Sequence, residues 1–444
     1  MPRPIVFTQP LLPLLLTLAA AASLGAQQPS LASAPASAFV DAQTGVTESA
    51  LVERALSTNP ALAAERLRID IAAGDVAQAR LHGNPSLDLG GLKEINGADN
   101  HVEIGAAIPL ELYGRRARRT EVAERSLDAT RQTVADKERL LAGEVRARFG
   151  ETLAAARNLA FAEQLLHLNR EFLKVMNDRV REGATPSLDA DEVGVEVNRI
   201  DAMRLDDQAK ADIAMLALKE SVGMQPEVDL RLQGTLEIPV HTFDQGALIQ
   251  IASSHRPDLA AQRANEALAS ADLRQQMALA KPDASFSATY QRPSAGFAQL
   301  AADPSGTLRP IRQTFNYVTF GLSIAIPAFN RNQGAIASGN AVIRSAHTRS
   351  AAVNLTLRHE IAQNLIRYNG AQARVAVYGV GVRDQAAKNL EVVRQIYRYG
   401  RSTLLDVLAE QRRFIDIETG YTGVLSDAYQ ARVALEQAVG TDLP

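Results

Sequence analysis

Two glycine-marked turns are each followed by a group of carboxylates, the residue types best placed for acid–base or cation chemistry. Asp406 and Glu410 follow Gly400, and Asp189, Asp191 and Glu192 follow Gly183. A carboxylate in the first turn of a helix is stabilised by the partial positive charge of the unpaired N–H groups there. Thr403-x-x-Asp406 has the spacing of a capping box, and Thr185-Pro186 puts a proline where a helix begins. The same carboxylates would place negative charge at any opening the turns surround. No catalytic constellation accompanies them. His82, His101, His167, His241, His255, His347 and His359 are scattered, without His-x-x-x-His spacing or a neighbouring ligand pair. The chain has no Cys, which excludes disulfides, thiolate metal sites, Cys nucleophiles and a lipid anchor on an N-terminal Cys. Neither a Gly-rich phosphate loop nor a G-x-S-x-G elbow is present. The expectation is a non-enzyme with no catalytic residues, no cofactor and no resident metal, driven by the energy of a partner.

The elements that position these turns follow from composition and periodicity. Of 444 residues 46% are hydrophobic but only 5% aromatic, and there is no Trp. Ala, Leu, Arg, Gln and Glu dominate, a mixture suited to long helices. The net charge of -3 gives no basic surface for nucleic acid. Arg3, the apolar run over residues 11–22 and the small residues that follow read as a secretory signal peptide, residues 1–26, with a flexible segment over 27–44. No later stretch is apolar for long enough to be a transmembrane helix, so a chain that spans a membrane must do so by strands.

The chain is one unit written twice, residues 45–240 and 241–444. Asn59-Pro60-Ala61-Leu62-Ala63-Ala64 returns as Arg256-Pro257-Asp258-Leu259-Ala260-Ala261, and Asn84-Pro85 as Lys281-Pro282. Ile108-Pro109 returns as Ile326-Pro327, and Gly183, Leu188 and Asp189 as Gly400, Leu405 and Asp406. The spacing between copies widens once, inside residues 293–314. Each copy starts with a helix broken at its X-Pro step, over 46–81 and 245–280. Period-two stretches come next, of which residues 318–326 are the cleanest. With their flanks these are long enough for a tilted strand to cross a bilayer. Proline-free helical runs follow over 114–182 and 332–399, each about 100 Å long if unbroken. Leu127, Val134 and Leu141 repeat by seven, and Ile361, Leu365, Tyr368, Gln372 and Val375 alternate steps of four and three, which implies supercoiling. Gly370, Gly379 and Gly381 loosen the second run. A partner helix returns from each glycine turn, over 187–222 and 403–439.

Four strands cannot close a barrel, and an open sheet edge in lipid leaves unpaired backbone groups. Chains must pool strands, and since eight strands leave room only for side chains, a conducting tube favours three chains and twelve strands. The long helices then extend to one side, and residues 92–100 and 291–316 form loops on the other. A coiled-coil adaptor without a barrel would keep the helices, but would not be expected to duplicate strands as well.

The two copies, both Ile-Pro steps, the stretch Tyr397-Arg398-Tyr399-Gly400-Arg401-Ser402-Thr403-Leu404-Leu405-Asp406 and the tail over 429–440 together resemble the TolC-like outer membrane factors, with the cobalt–zinc–cadmium branch nearest. The resemblance covers residues 45–442. It implies a mainly α fold with a small membrane β-barrel: a homotrimer with a twelve-stranded outer-membrane barrel continuing into a periplasmic α-helical barrel. It implies a passive efflux duct for heavy-metal cations, partnered by a periplasmic adaptor and an inner-membrane RND pump in contact with outer-membrane lipid. Ducts for multiple drugs, organic compounds or type I secretion share the pattern. The family's acidic gate ring falls on Asp406 and its gate tyrosine on Tyr397, with Glu410 and Asp189 adding charge. A ring of carboxylates would attract cations, and crowding would raise their pKa values. Two departures stand out: the family's second aspartate is Ala409 here, and its gate arginine is Ser402. Gly183, Gly400, Arg401 and Leu405 mark the tips expected to touch the adaptor, where Arg179, Arg181 and Arg398 add basic charge.

Overall fold

The computed structural model describes residues 39–97 and 99–443, so the expected signal peptide and most of the 27–44 segment lie outside the described residues. Each half runs in the same order. The first holds α1 (Glu48–Thr58), α2 (Pro60–Arg80), β2 (Ser86–Lys93), β3 (Asn100–Pro109), α3 (Arg115–Arg181) and α4 (Ser187–Val222). The second holds α5 (Gln245–His255), α6 (Pro257–Leu279), β5 (Asp283–Ala302), β6 (Leu308–Thr314), β7 (Tyr317–Ala325), α7 (Gln333–Ala376), α8 (Asp384–Arg398) and α9 (Leu404–Val439). Two short strands, β1 (Val46–Thr47) and β4 (Leu232–Gln233), pair in parallel and tie the start of the first half to its end.

The X-Pro breaks do the same work in both halves. Asn59 caps α2 by accepting from the N–H groups of Ala61 at 2.9 Å and Leu62 at 3.1 Å, and its amide donates to the Ser221 carbonyl at the end of α4. Arg256 occupies the matching place before α6. Its guanidinium bonds the Ala438 carbonyl at the end of α9 (3.0 Å), and pairs with Asp258 at 2.5 Å and Glu360 at 2.6 Å. The chemistry differs, but in each half the break is sewn to the C-terminus of the returning helix.

The membrane sheet is ordered β2-β3-β5, with β6 and β7 both on the far side of β5. Directly paired residues share a face. Leu89 faces Ile104, Ile104 faces Tyr290, and Tyr290 faces Val318, while Ile108, Phe286 and Leu322 form a second row. The opposite face carries Asp88, Glu103, Ser287, Thr289 and Thr319. The apolar face is bare: Leu89 is 72% exposed and Phe320 70%.

The sheet corrects one expectation. Residues 291–316 are not a loop: β5 runs 20 residues, passes a register shift between Gly296 and Leu300, and pairs with β6. The turn is confined to residues 303–307, where Gly306 takes φ 82 and Asp303 exchanges backbone bonds with Thr307 and Gly306. The prolines are tolerated because each keeps its carbonyl available and needs no ladder N–H. Pro310 lies on the edge strand β6, and the carbonyl of Pro293 accepts from Phe315.

Below the sheet the chain re-enters helix through left-handed residues, Gly114 (φ 71) in the first half and Asn332 (φ 57) in the second. Arg115 fastens this step, pairing with Asp283 at 2.8 Å and bonding the Lys281 carbonyl. α3 is unbroken over 67 residues. Its counterpart is interrupted by a π-helical segment, Val377–Arg383, that contains Gly379 and Gly381. The heptad residues Leu127 and Val134 are buried, as are Ile361, Leu365, Tyr368 and Gln372. Replacing Asn59 by Ala removes the cap and the bond to α4 together; thermal melting should show a loss of about 1–2 kcal/mol.

Candidate functional site

Both helical hairpins turn the same way. The N–H of Ala184 reaches the Arg179 carbonyl (2.9 Å) and that of Gly183 the Val180 carbonyl (3.0 Å). In the second tip Arg401 reaches Ile396 (3.1 Å) and Gly400 reaches Tyr397 (2.9 Å). This paired bonding needs a left-handed residue at the turn, which Gly183 (φ 70) and Gly400 (φ 67) supply without a Cβ clash. Just past the turns Leu188 is 63% exposed and Leu405 62% exposed, at matching places of the two halves. Arg401 is exposed beside them. Pro186 caps α4 rather than filling its first helical position.

Asp406 begins α9 as half of a complete capping box. Its Oδ2 accepts from the Thr403 N–H at 2.9 Å and from the Thr403 hydroxyl at 2.8 Å, while its own N–H donates to Thr403 Oγ1 at 3.2 Å. The Thr403 N–H, followed by its hydroxyl, holds the Asp406 carboxyl below the usual carboxylate range. Crowding of carboxylates would need further copies of the chain; within the protomer the Asp406 carboxylate is exposed and fixed in direction. Glu410 differs. Its side chain is only 13% exposed and pairs with Arg413 at 3.1 Å, so it does not replace the missing second aspartate with a free charge.

Tyr397 and Asp189 are brought towards each other although they lie on different hairpins. Tyr397 packs against the apolar cluster shared by the two hairpins, its hydroxyl 3.8 Å from the Met176 sulfur. Burial pushes its phenol up, opposed by the charge of Arg179 and reinforced by that of Asp189. Asp191 is exposed at the start of α4. Among the described residues no group of three or more His, Asp or Glu could hold a metal ion.

The residue that periodicity missed is Glu196. It is 1% exposed, yet it carries two guanidinium partners: Arg199 on its own helix at 2.6 Å and Arg412 on α9 at 3.2 Å. Burial alone would raise its pKa; the two arginines outweigh burial and hold it below the usual range. Arg199 is visible in the sequence as an i,i+3 partner, but Arg412 is not, because it arrives from the other hairpin. One layer in, Gln411 donates to Asn169 at 2.9 Å, a second buried cross-hairpin bond.

The sequence pattern of the outer membrane efflux protein family matches residues 51–224 and again 248–441. The chain belongs to that family. This efflux protein is 25% identical to the cobalt-zinc-cadmium resistance protein CzcC of Cupriavidus metallidurans over 403 residues, 89% of this chain and 90% of CzcC. Its fold is similar to that of CusC, with a TM-score of 0.71 at 18% identity, covering 91% of this chain and 93% of CusC. It is also similar to the outer membrane protein VceC of Vibrio cholerae, with a TM-score of 0.69 at 19% identity, covering 89% and 96%. The efflux protein is an outer-membrane efflux channel.

Two outcomes follow for the tips. Glu196→Ala removes the buried carboxylate shared by Arg199 and Arg412; because both arginines are about half exposed and water can solvate them, chemical denaturation should report a loss of only about 1–2 kcal/mol. For Asp406 the sign is set by its depressed pKa: the capping contribution is present above the ordinary value of 3.8 and is lost as the pH falls below it. Hydrogen exchange at the Thr403 and Asp406 amides should stay slow at pH 5 and quicken only in stronger acid. Thr403→Ala should abolish the protection of the Asp406 amide at every pH.

Proposed function

We propose that three copies of this chain form one tube, each giving four strand positions to a twelve-stranded barrel and two hairpins to a helical barrel below it. The observation that carries this reading is the sheet, apolar on one face, polar on the other, with β2 and the β6–β7 side unpaired at its edges. In lipid those edges need partners, and the polar face needs water. Two copies would close eight strands around side chains alone, whereas three leave a lumen. Apolar residues unpartnered in the protomer continue down the helices, such as Val195 and Ile213 on α4 and Leu355 and Ile366 on α7. Neighbouring copies would cover them. In this reading residues 45–240 and 241–444 are the two repeats of the protomer.

The cargo is heavy-metal cations, a reading supported by the likeness to CzcC and by the exposed, fully charged Asp406. Threefold symmetry turns Asp406 into a ring of carboxylates at the periplasmic mouth, which favours cations over anions. Asp189 and Tyr397 lie on facing hairpins and would part when the mouth opens. Glu410 buttresses the gate through Arg413. The exposed Leu405 and Arg401, held out by the Gly183 and Gly400 turns, are the surface for a periplasmic adaptor, and an inner-membrane RND pump supplies the energy.

The test is the oligomer mass of the detergent-purified protein and its conductance in a planar bilayer, with Asp406→Ala beside wild type. A trimeric mass and a cation selectivity that falls several-fold in the variant are expected. Selectivity unchanged by the variant would reduce Asp406 to a helix cap, and a non-conducting monomer would overturn the duct.

A further inference from the structure

Above the tips, α3 and the α8–α9 hairpin leave a cavity of about 360 Å³, within the usual range for small-molecule sites. Phe172, Met176 and Val407 give it an apolar floor, and Arg179, Arg394 and Arg398 stand around it. Other arginines of this region are paired: Arg170 with Asp201, Arg181 with Asp178, Arg412 with Glu196 and Arg413 with Glu410. Among the described residues, the three around the cavity meet no carboxylate within ion-pair distance. Arg394 and Arg398 are one turn apart on one helix, a like-charge spacing that costs helix stability. The negative groups that act here do so from farther off, Glu391 on Arg394 and Asp189 on Tyr397. Burial, with Arg398 adding to it, makes Arg394 harder to keep charged.

The polar wall is already satisfied. Gln411 gives its N–H to Asn169 at 2.9 Å and accepts from Arg394 at 3.2 Å. That bond fixes the direction of the Arg394 guanidinium and uses one of its five donors. What remains is an oriented cationic fork beside apolar and aromatic side chains, a combination that neither water nor a simple inorganic anion would match on both sides.

We propose that this cavity binds an amphipathic organic anion, with a carboxylate or sulfonate on Arg394 and Arg398 and a ring-sized apolar body against Phe172 and Met176. Charge-assisted, bidentate bonding supplies the anchor. The occupant would touch both hairpins at once, so its binding reports how they sit together. The inference goes beyond the duct reading and does not depend on the cargo.

The test uses the full-length oligomer in lipid nanodiscs, with empty nanodiscs as control, titrated calorimetrically with 2-naphthoate and with 2-naphthylmethylammonium. Saturable binding of one naphthoate per chain is expected, with the ammonium probe at least tenfold weaker. Arg398→Gln, at an exposed position, should weaken naphthoate at least tenfold with the oligomer mass unchanged. Val175→Trp, at a half-exposed position on the cavity wall, should block it by bulk alone. Equal affinity for the two probes, or naphthoate binding untouched by both variants, overturns the proposal. An oligomer that conducts yet binds no naphthoate also overturns it, while leaving the duct reading intact.

Discussion

A sheet four strands wide has two edges, and in hydrocarbon neither can be left open. Each unpaired N–H or C=O there costs several kcal/mol, with no water to offset it. The sheet of this protein has an apolar face from Leu87 to Ile324 and open sides at β2 and at β6–β7, so its stable form requires other chains. Everything below the sheet inherits that requirement. Most of the helices' apolar residues pack inside the protomer, as at Val145, Phe149, Ile361 and Leu365, while others such as Val195 and Ile366 are left exposed on it.

The duplication supplies that geometry economically, but its fastenings are not duplicated. Asn59 and Arg256 hold equivalent places, one by a neutral amide and the other by a buried guanidinium with two carboxylates. Midway down, Arg146 of α3 gathers Glu48 of α1, Glu436 of α9 and Asp442 of the tail at 3.2, 3.4 and 2.5 Å, and the Tyr429 hydroxyl bonds Glu48. One guanidinium thus joins both halves of the chain where the helices are thickest, and the second half has no copy of it among the described residues.

The long helices are unequal as well. α3 runs unbroken, whereas its partner loosens into π-helix at Val377–Arg383. The loosened turn is held by side chains: the Tyr421 ring lies between Arg157 and Arg383, at 5.5 and 5.3 Å, and both arginines pair with Glu418. The π-segment is a local break in the α-helical ladder that sets this arm apart from the unbroken α3.

The sequence alone determined whatever depends on local periodicity and on single residues of restricted geometry. The broken first helices follow from Asn59-Pro60 and Arg256-Pro257, the tip turns from Gly183 and Gly400, the capping box from Thr403 and Asp406, and the lipid face from alternation over β7. The duplication follows from matching one half against the other. Residues 291–316 form strands where their prolines suggest a loop, because a proline ends a ladder only where its missing N–H is needed, and that depends on which strand lies alongside. Tertiary structure alone decided the contacts between distant segments: Glu196 with Arg412, Arg146 with three carboxylates, and the arginines above the tips that no carboxylate reaches. A charged side chain has no period that betrays its partner. Its worth is set by burial and by what the other hairpin brings within a few ångströms, and those distances exist only once the chain has folded.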